Sequence, residues 1–332
     1  MRMLAALMVL VSHQYLLAGR PELRVLGLYS LGDVGVAMFF GISGYLVTTS
    51  WMHDPHLLRF FARRFLRIYP ALLVIVLLLA LGVGPLFAPM PLSDYFFNPR
   101  FGTFFQNLIL RAHTDLPVQI GNGPFSHIVN GSLWTIPLEV RCYVLLSLIG
   151  MLGLLRWRLG LPALMLAFAA YHLGWLGPGA FLIRADEGGR SLQLEFIACF
   201  FLGACVARFP GLLRAPRVWI WLVMLLGLGG GAWAWGQPAL AIWLVVPLTT
   251  LAVGNACWPL LSGVGRWGDF SYGVYLYAFP VQQIVLADTP AALPFALQLV
   301  LAVALTLLCS AVSWHTVEKR ALRRKPRARQ PQ

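Results

Sequence analysis

A guanidinium and an imidazole stand at the two ends of one apolar run, Arg2-Met3-Leu4-Ala5-Ala6-Leu7-Met8-Val9-Leu10-Val11-Ser12-His13. Eleven positions separate them, which on an α-helix is about three turns plus 20° and a rise of roughly 16 Å. Both side chains therefore share a face. If this helix enters a bilayer, Arg2 sits at one surface and His13 near the middle of the hydrocarbon, where an ionisable group is a functional-site candidate by default. The available chemistry is anion binding at one end and proton transfer or nucleophilic attack at the other. The alternative is a flanking charge and a histidine hydrogen-bonded inside a helical bundle.

Other residues extend the same chemistry. In Arg63-Arg64-Phe65-Leu66-Arg67-Ile68-Tyr69-Pro70, Arg63 and Arg67 lie four apart and share a helix face. Guanidinium forks in such a cluster suit phosphate groups; the competing reading is a topogenic signal beside a span. Glu139 lies within an apolar run, and Pro137 frees a backbone carbonyl close to it. Arg141, two residues on, faces another way, so this carboxylate needs a partner elsewhere in the bundle, such as a histidine or a substrate hydroxyl. Glu195 is a second acid near a span's outer end, with no partner visible in its own segment. Gly41, Ser43 and Gly44 allow another helix or a thin ligand to approach the backbone closely. Cys142, Cys199, Cys205, Cys257 and Cys309 all fall in apolar stretches without a CxxC. They read as buried hydrophobes, with neither a metal site nor a disulfide framework.

The elements that must position these groups are membrane helices. Of 332 residues, 59% are hydrophobic and 11% charged, and the mean hydropathy of +0.75 lies outside the range of soluble domains. The pattern predicts an all-α polytopic bundle of about ten spans, at 3–19, 32–52, 66–87, 132–154, 160–178, 191–207, 217–236, 238–257, 270–287 and 293–315, most of them near the length a bilayer crossing needs. The first run has no separate charged leader or cleavage site and reads as a retained span. A net charge of +13 suggests nucleic acid at first sight, yet the arginines cluster between apolar runs as the positive-inside rule requires. Placing the N-terminus in the cytoplasm puts 18 basic residues inside and 6 outside, with Arg141 in a span. Both termini are therefore expected in the cytoplasm. The expected division is a transmembrane domain over 1–316, an outer loop over about 88–131, and a basic tail over 317–332 drawn to anionic lipid headgroups. The loop's aromatic pieces read as interfacial or re-entrant helices, against a plain solvated connector. No internal repeat of fixed period is present.

Six stretches in order resemble acyltransferase family 3, integral-membrane enzymes that modify surface and secreted sugars. They are Arg2 to His13, Phe39-Phe40-Gly41-Ile42-Ser43-Gly44-Tyr45-Leu46, Arg63 to Pro70, Ser132-Leu133-Trp134-Thr135 with Glu139 and Tyr143, Phe270-Ser271-Tyr272-Gly273-Val274-Tyr275-Leu276 with Pro280, and Val317-Glu318-Lys319. Ala278 stands where the family's ninth-span motif often has histidine, and Arg320 where proline commonly follows the Glu-Lys pair.

The resemblance implies transfer of an acyl group, most often acetyl, from cytoplasmic acyl-CoA to a hydroxyl of an extracytoplasmic glycan or lipid-linked sugar, in the inner (plasma) membrane and without a metal. In that reading Arg2, Arg63, Arg64 and Arg67 hold the coenzyme A phosphates. Ser43, Tyr272 and Tyr275 line the thioester's path, with packing alone the competing role for the tyrosines. A neutral His13 is general base or transient acyl carrier, oriented by Glu139, and Trp134 lines the path of the sugar. Nucleic acid is not an expected partner. The rival class is a transporter or flippase, in which intramembrane polar groups line a path and nothing is covalently changed; a third reading is a non-catalytic member of a glycan assembly complex.

Overall fold

Almost every apolar run folds as an α-helix, and the only sheet among the described residues is a short antiparallel hairpin, β1 (Arg24–Val25) with β2 (Tyr29–Ser30). The computed structural model describes residues 1–25, 27, 29–172, 192–213, 217–255, 268–290 and 293–326. Outside these lie Arg184, Arg190, Arg214, Arg266, Arg327, Arg329, Cys257 and parts of the expected spans at 160–178, 191–207 and 238–257.

In chain order the helices are α1 (Arg2–Leu17), α2 (Leu31–His53), α3 (Leu57–Leu77), α4 (Gly84–Leu86), α5 (Leu92–Phe97), α6 (Pro99–Phe104), α7 (Thr135–Met151), α8 (Gly160–His172), α9 (Leu192–Arg208), α10 (Arg217–Ala234), α11 (Pro238–Asn255), α12 (Ser271–Asp288), α13 (Phe295–Ser313) and α14 (Lys319–Arg323). Among the described residues, three continuous stretches are both long and apolar enough to cross a membrane, Leu31–His53, Leu57–Leu86 and Phe295–Arg323. Shorter apolar helices include Arg2–Leu17, Gly160–Ala170, Val218–Ala234 and Leu240–Asn255. This is a helical membrane protein.

At the centre is α2, which packs against α1, α7, α9 and α11. Its start is set by a capping box: the Ser30 hydroxyl accepts from the Asp33 amide at 3.0 Å while the Asp33 carboxylate accepts from the Ser30 amide at 2.9 Å. In a lipid environment helices associate through close packing rather than hydrophobic expulsion, so small residues decide where backbones meet. A Cβ added at Gly44 would stand 1.8 Å from the carbonyl oxygen of Phe200, and one at Gly203 would stand 2.0 Å from that of Gly41. The expected close approach at the Gly41–Gly44 segment is thus filled by helix α9.

Two helices are prolonged by π-helical turns, α3 through Leu78–Val83 into α4, and α13 through Trp314–Glu318 into α14. The second carries the chain helically past the expected boundary at 316, as far as Arg323, with Glu318 only 2% exposed just before exposed Lys319 and Arg320.

The long loop over about 88–131 is a packed cap. Short helices α5 and α6 follow the aromatic pieces, and Leu116, Val118, Ile120 and Val129 are buried. Polar side chains tie it down: Tyr95 donates to the carbonyl of Ala80, Asn130 to that of Leu276, and Gln283 to that of Phe125. The connector reading fails because a solvated loop would not bury four aliphatic side chains.

Candidate functional site

Three of the sequence-derived residues meet inside the bundle. Glu139, on the second turn of α7, accepts hydrogen bonds on Oε1 from Ser43 of α2 at 2.8 Å and from Tyr143, one turn along its own helix. Charge-assisted bonds of this kind keep a carboxylate in an apolar bundle. Glu139 also lines a narrow cavity of about 40 Å³ together with Arg2, Phe39, Thr135, Tyr272 and Tyr275. A water needs about 10–15 Å³ of such space, so there is room for an acetyl-sized group and little more.

Both tyrosines line this cavity while their hydroxyls brace its walls. Tyr272 donates to the carbonyl of Ile68 at 3.1 Å, tying α12 to α3. The Tyr275 hydroxyl pairs with that of Thr135 at 2.6 Å, tying α12 to α7.

Four arginines pair off on two carboxylates, and Arg64 stands apart. Arg67 and Arg2 converge on Oδ2 of Asp269, at 2.6 Å and 3.3 Å. Burial raises the Asp269 carboxyl, but Arg2, Arg67 and Ser271 outweigh it and hold it at about 2. Arg63 instead joins Arg59 on Asp54, at 2.7 Å and 2.5 Å, and hydrogen bonds from Arg59 and Arg63 hold that carboxyl well below the usual carboxylate range. Arg64 makes no ion pair among the described residues. Its Nη2 donates to Ser50 at 3.1 Å, and its guanidinium lies near the rings of Phe60 and Tyr143. Even so, Nε of Arg2, Nε and Nη2 of Arg63 and Nε of Arg64 are buried without a hydrogen-bond partner among the described residues. Lys325, beyond α14, belongs to the same electrostatic neighbourhood: burial draws it down to about 8, and Arg67, Arg64 and Arg2 add to the shift.

His13 is placed by the same helix as Arg2, but it does not line the inner cavity. Its ring meets Phe279 edge to face, 5.2 Å between centroids, and its Nδ1 is buried without a hydrogen-bond partner among the described residues. Glu139 does not orient it: both bonds on Glu139 Oε1 come from Ser43 and Tyr143, and no hydrogen bond joins Glu139 to His13 among the described residues. The position relative to the cavities is specific. Tyr275 of the inner cavity is four residues before Phe279 on α12. A second cavity of about 50 Å³, beside the 88–131 loop, is lined by Leu17, Gly121, Phe125 and Gln283. Leu17 is four residues after His13, and Gln283 four after Phe279. Four residues are one helical turn, about 6 Å. The His13–Phe279 pair thus lies one turn from each cavity.

Trp134 ends up against Phe196 of α9, 6.0 Å between centroids and half-buried. Asp269 was missed in the sequence, since its partners lie 267 and 202 positions away.

A family model described as an acyltransferase domain matches residues 1–315. The chain belongs to this acyltransferase family. Among curated proteins the acyltransferase is 30% identical to an "O-acetyl transferase" of Shigella phage Sf6, over 97% of this chain and 95% of that protein. It is also 33% identical to "Nodulation protein 10" of Rhizobium leguminosarum bv. viciae, over 45% of this chain and 42% of that one. No solved structure matches. The acyltransferase assignment covers the helix carrying Arg2 and His13, the Ser43–Glu139–Tyr143 cluster and the Asp269 ion pairs.

Proposed function

We propose that this acyltransferase moves an acetyl group from acyl-CoA, bound at the arginine end, to a hydroxyl of a glycan or lipid-linked sugar that approaches from the outer loop. The observation that carries the reading is a half-buried imidazole whose buried Nδ1 has no partner among the described residues, and whose contact Phe279 lies one helical turn from the lining of each of two cavities. The unpartnered guanidinium donors of Arg2, Arg63 and Arg64, with Arg67 beside them, suit the phosphates of coenzyme A. The inner cavity's size favours acetyl over a longer chain. End-to-end similarity to an O-acetyl transferase supports oxygen as the acceptor atom.

In this mechanism neutral His13 takes the proton of the acceptor hydroxyl as its oxygen attacks the thioester carbonyl carbon. The carbon–sulfur bond breaks, and His13 returns the proton to the leaving thiolate, so no net charge is left in the bundle. Glu139, with Ser43 and Tyr143, gives the inner cavity a fixed polar wall, and Trp134 stands near the outer end of α7 on the acceptor's side. Ten spans in the inner membrane with both termini cytoplasmic complete the reading, because they set the arginines facing the cytoplasmic pool of acyl-CoA.

The test is mass spectrometry of surface polysaccharide from cells with and without the protein, together with acetyl-CoA consumption by the purified protein. One acetyl increment that depends on the protein supports the reading. An unchanged glycan with no thioester turnover overturns it.

A further inference from the structure

Between α8, α9, α10 and α11 lies a cavity of about 720 Å³, lined by apolar side chains that include Met165, Val206, Phe209, Trp221, Trp243 and Leu244. The acyl-transfer reading makes no use of it. Its volume falls within the range of ligand sites. From Leu240 to Ala252 of α11, both of which line it, the helix rises about 18 Å, close to the hydrocarbon thickness of one leaflet. The groove is therefore long and apolar enough for an acyl chain lying along the bilayer normal.

One end of the groove is basic. Arg158 places its guanidinium 5.7 Å from the ring of Phe209, which lines the groove. Arg208, at the end of α9, donates to the sulfur of Met52 at 2.9 Å and to the carbonyl of Arg156 at 3.2 Å, while its Nε is buried without a partner among the described residues. Trp157, 72% exposed, stands between Arg156 and Arg158, the residue type that settles at headgroup depth. No Asp or Glu occurs in 140–172 or in 196–255, so nothing in these segments offsets the positive rim. Hydrocarbon below and cations above are complementary to one kind of molecule.

We infer that the groove between α8 and α11 is a binding site for an anionic phospholipid, one acyl chain lying in the groove and the phosphate held at Arg158 and Arg208. The site is separate from the Arg2–Arg67–Asp269 cluster, and the inference does not depend on the acyl-transfer mechanism.

The test is native mass spectrometry of the full-length protein in detergent, incubated with equal amounts of dimyristoylphosphatidylglycerol and dimyristoylphosphatidylcholine. The wild type retains one phosphatidylglycerol per chain, preferred about tenfold over phosphatidylcholine. Arg158→Gln, an exposed change that leaves the fold intact, lowers the preference severalfold while a lipid is still retained; Leu244→Trp, which fills the groove, removes the retained lipid. Equal retention of the two lipids by the wild type overturns the inference, as does retention that survives Leu244→Trp. A polyprenyl phosphate that displaces phosphatidylglycerol when mixed at equal concentration also overturns it, by making the groove a seat for the acceptor's anchor.

Discussion

The two sides of the α2–α9 crossing bury different things. Around α1, α3, α7 and α12 the interior holds Glu139, Asp269 and several arginines, matched with hydroxyls and ion pairs and enclosing little empty space. Between α8 and α11 the interior is aliphatic and aromatic, and it encloses a cavity many times larger. The difference teaches where to look for chemistry in a membrane bundle. A polar group left unmatched in a low-dielectric interior is costly, and Nδ1 of His13 and the arginine nitrogens, which are among the buried atoms without a partner in the described residues, are the ones placed where a ligand would meet them. Apolar packing has no such obligation, and a void there points to hydrocarbon.

The largest effect comes from breaking the seam that joins the two sides. Gly203→Val sets a side chain against the backbone of α2, where neither helix can yield by a rotamer change. The cost exceeds the ~1–3 kcal/mol of ordinary overpacking, and both the yield of monodisperse protein and its thermal transition are expected to collapse. Gly230→Ala on α10, with nothing near the added methyl, leaves both unchanged.

On the polar side, Glu139→Gln removes the charge that Ser43 and Tyr143 stabilise; charge-assisted bonds are worth roughly 1.5–3 kcal/mol each, so acetyl-CoA turnover falls about a hundredfold. Tyr143→Phe, which removes one of the two bonds, costs about tenfold. Arg67→Gln weakens coenzyme A binding about tenfold by equilibrium titration. In contrast, Leu244→Trp in the apolar half leaves that binding intact, which sharpens the division between the two sides.

The smallest effect is on stability. Folding depresses the Asp54 carboxyl through its bonds to Arg59 and Arg63. A depressed folded value favours the ionised form, so its contribution is complete above the ordinary carboxylate value and is lost as pH falls below about 4. Asp54→Asn is therefore expected to lower Tm by a few degrees at pH 7, with the gap to wild type narrowing in acid.

Much of this was legible in the residues. The period and length of the apolar runs gave a helical membrane bundle, and the small residues at Gly41 and Gly44 gave a close crossing, because both signals are local. The need of Glu139 for a partner was legible as well, and Tyr143 lay within reach at one helical turn. Two features were not. Asp269 lies outside the apolar runs and acquires its meaning only when α12 folds against α1 and α3, which no spacing along the chain encodes. Glu139 was expected to orient His13, but Ser43 and Tyr143 occupy its Oε1, and His13 is placed by Phe279. The groove was invisible for the opposite reason: a helix facing a cavity and a helix facing lipid carry the same residues.

The central claim is that His13 handles the proton of acyl transfer while the arginines only bind. Purified His13→Ala should be measured for coenzyme A affinity and for acetyl-CoA turnover in the same preparation. The account predicts unchanged affinity with turnover reduced by a factor of about 10²–10⁴; full turnover in the folded variant contradicts it.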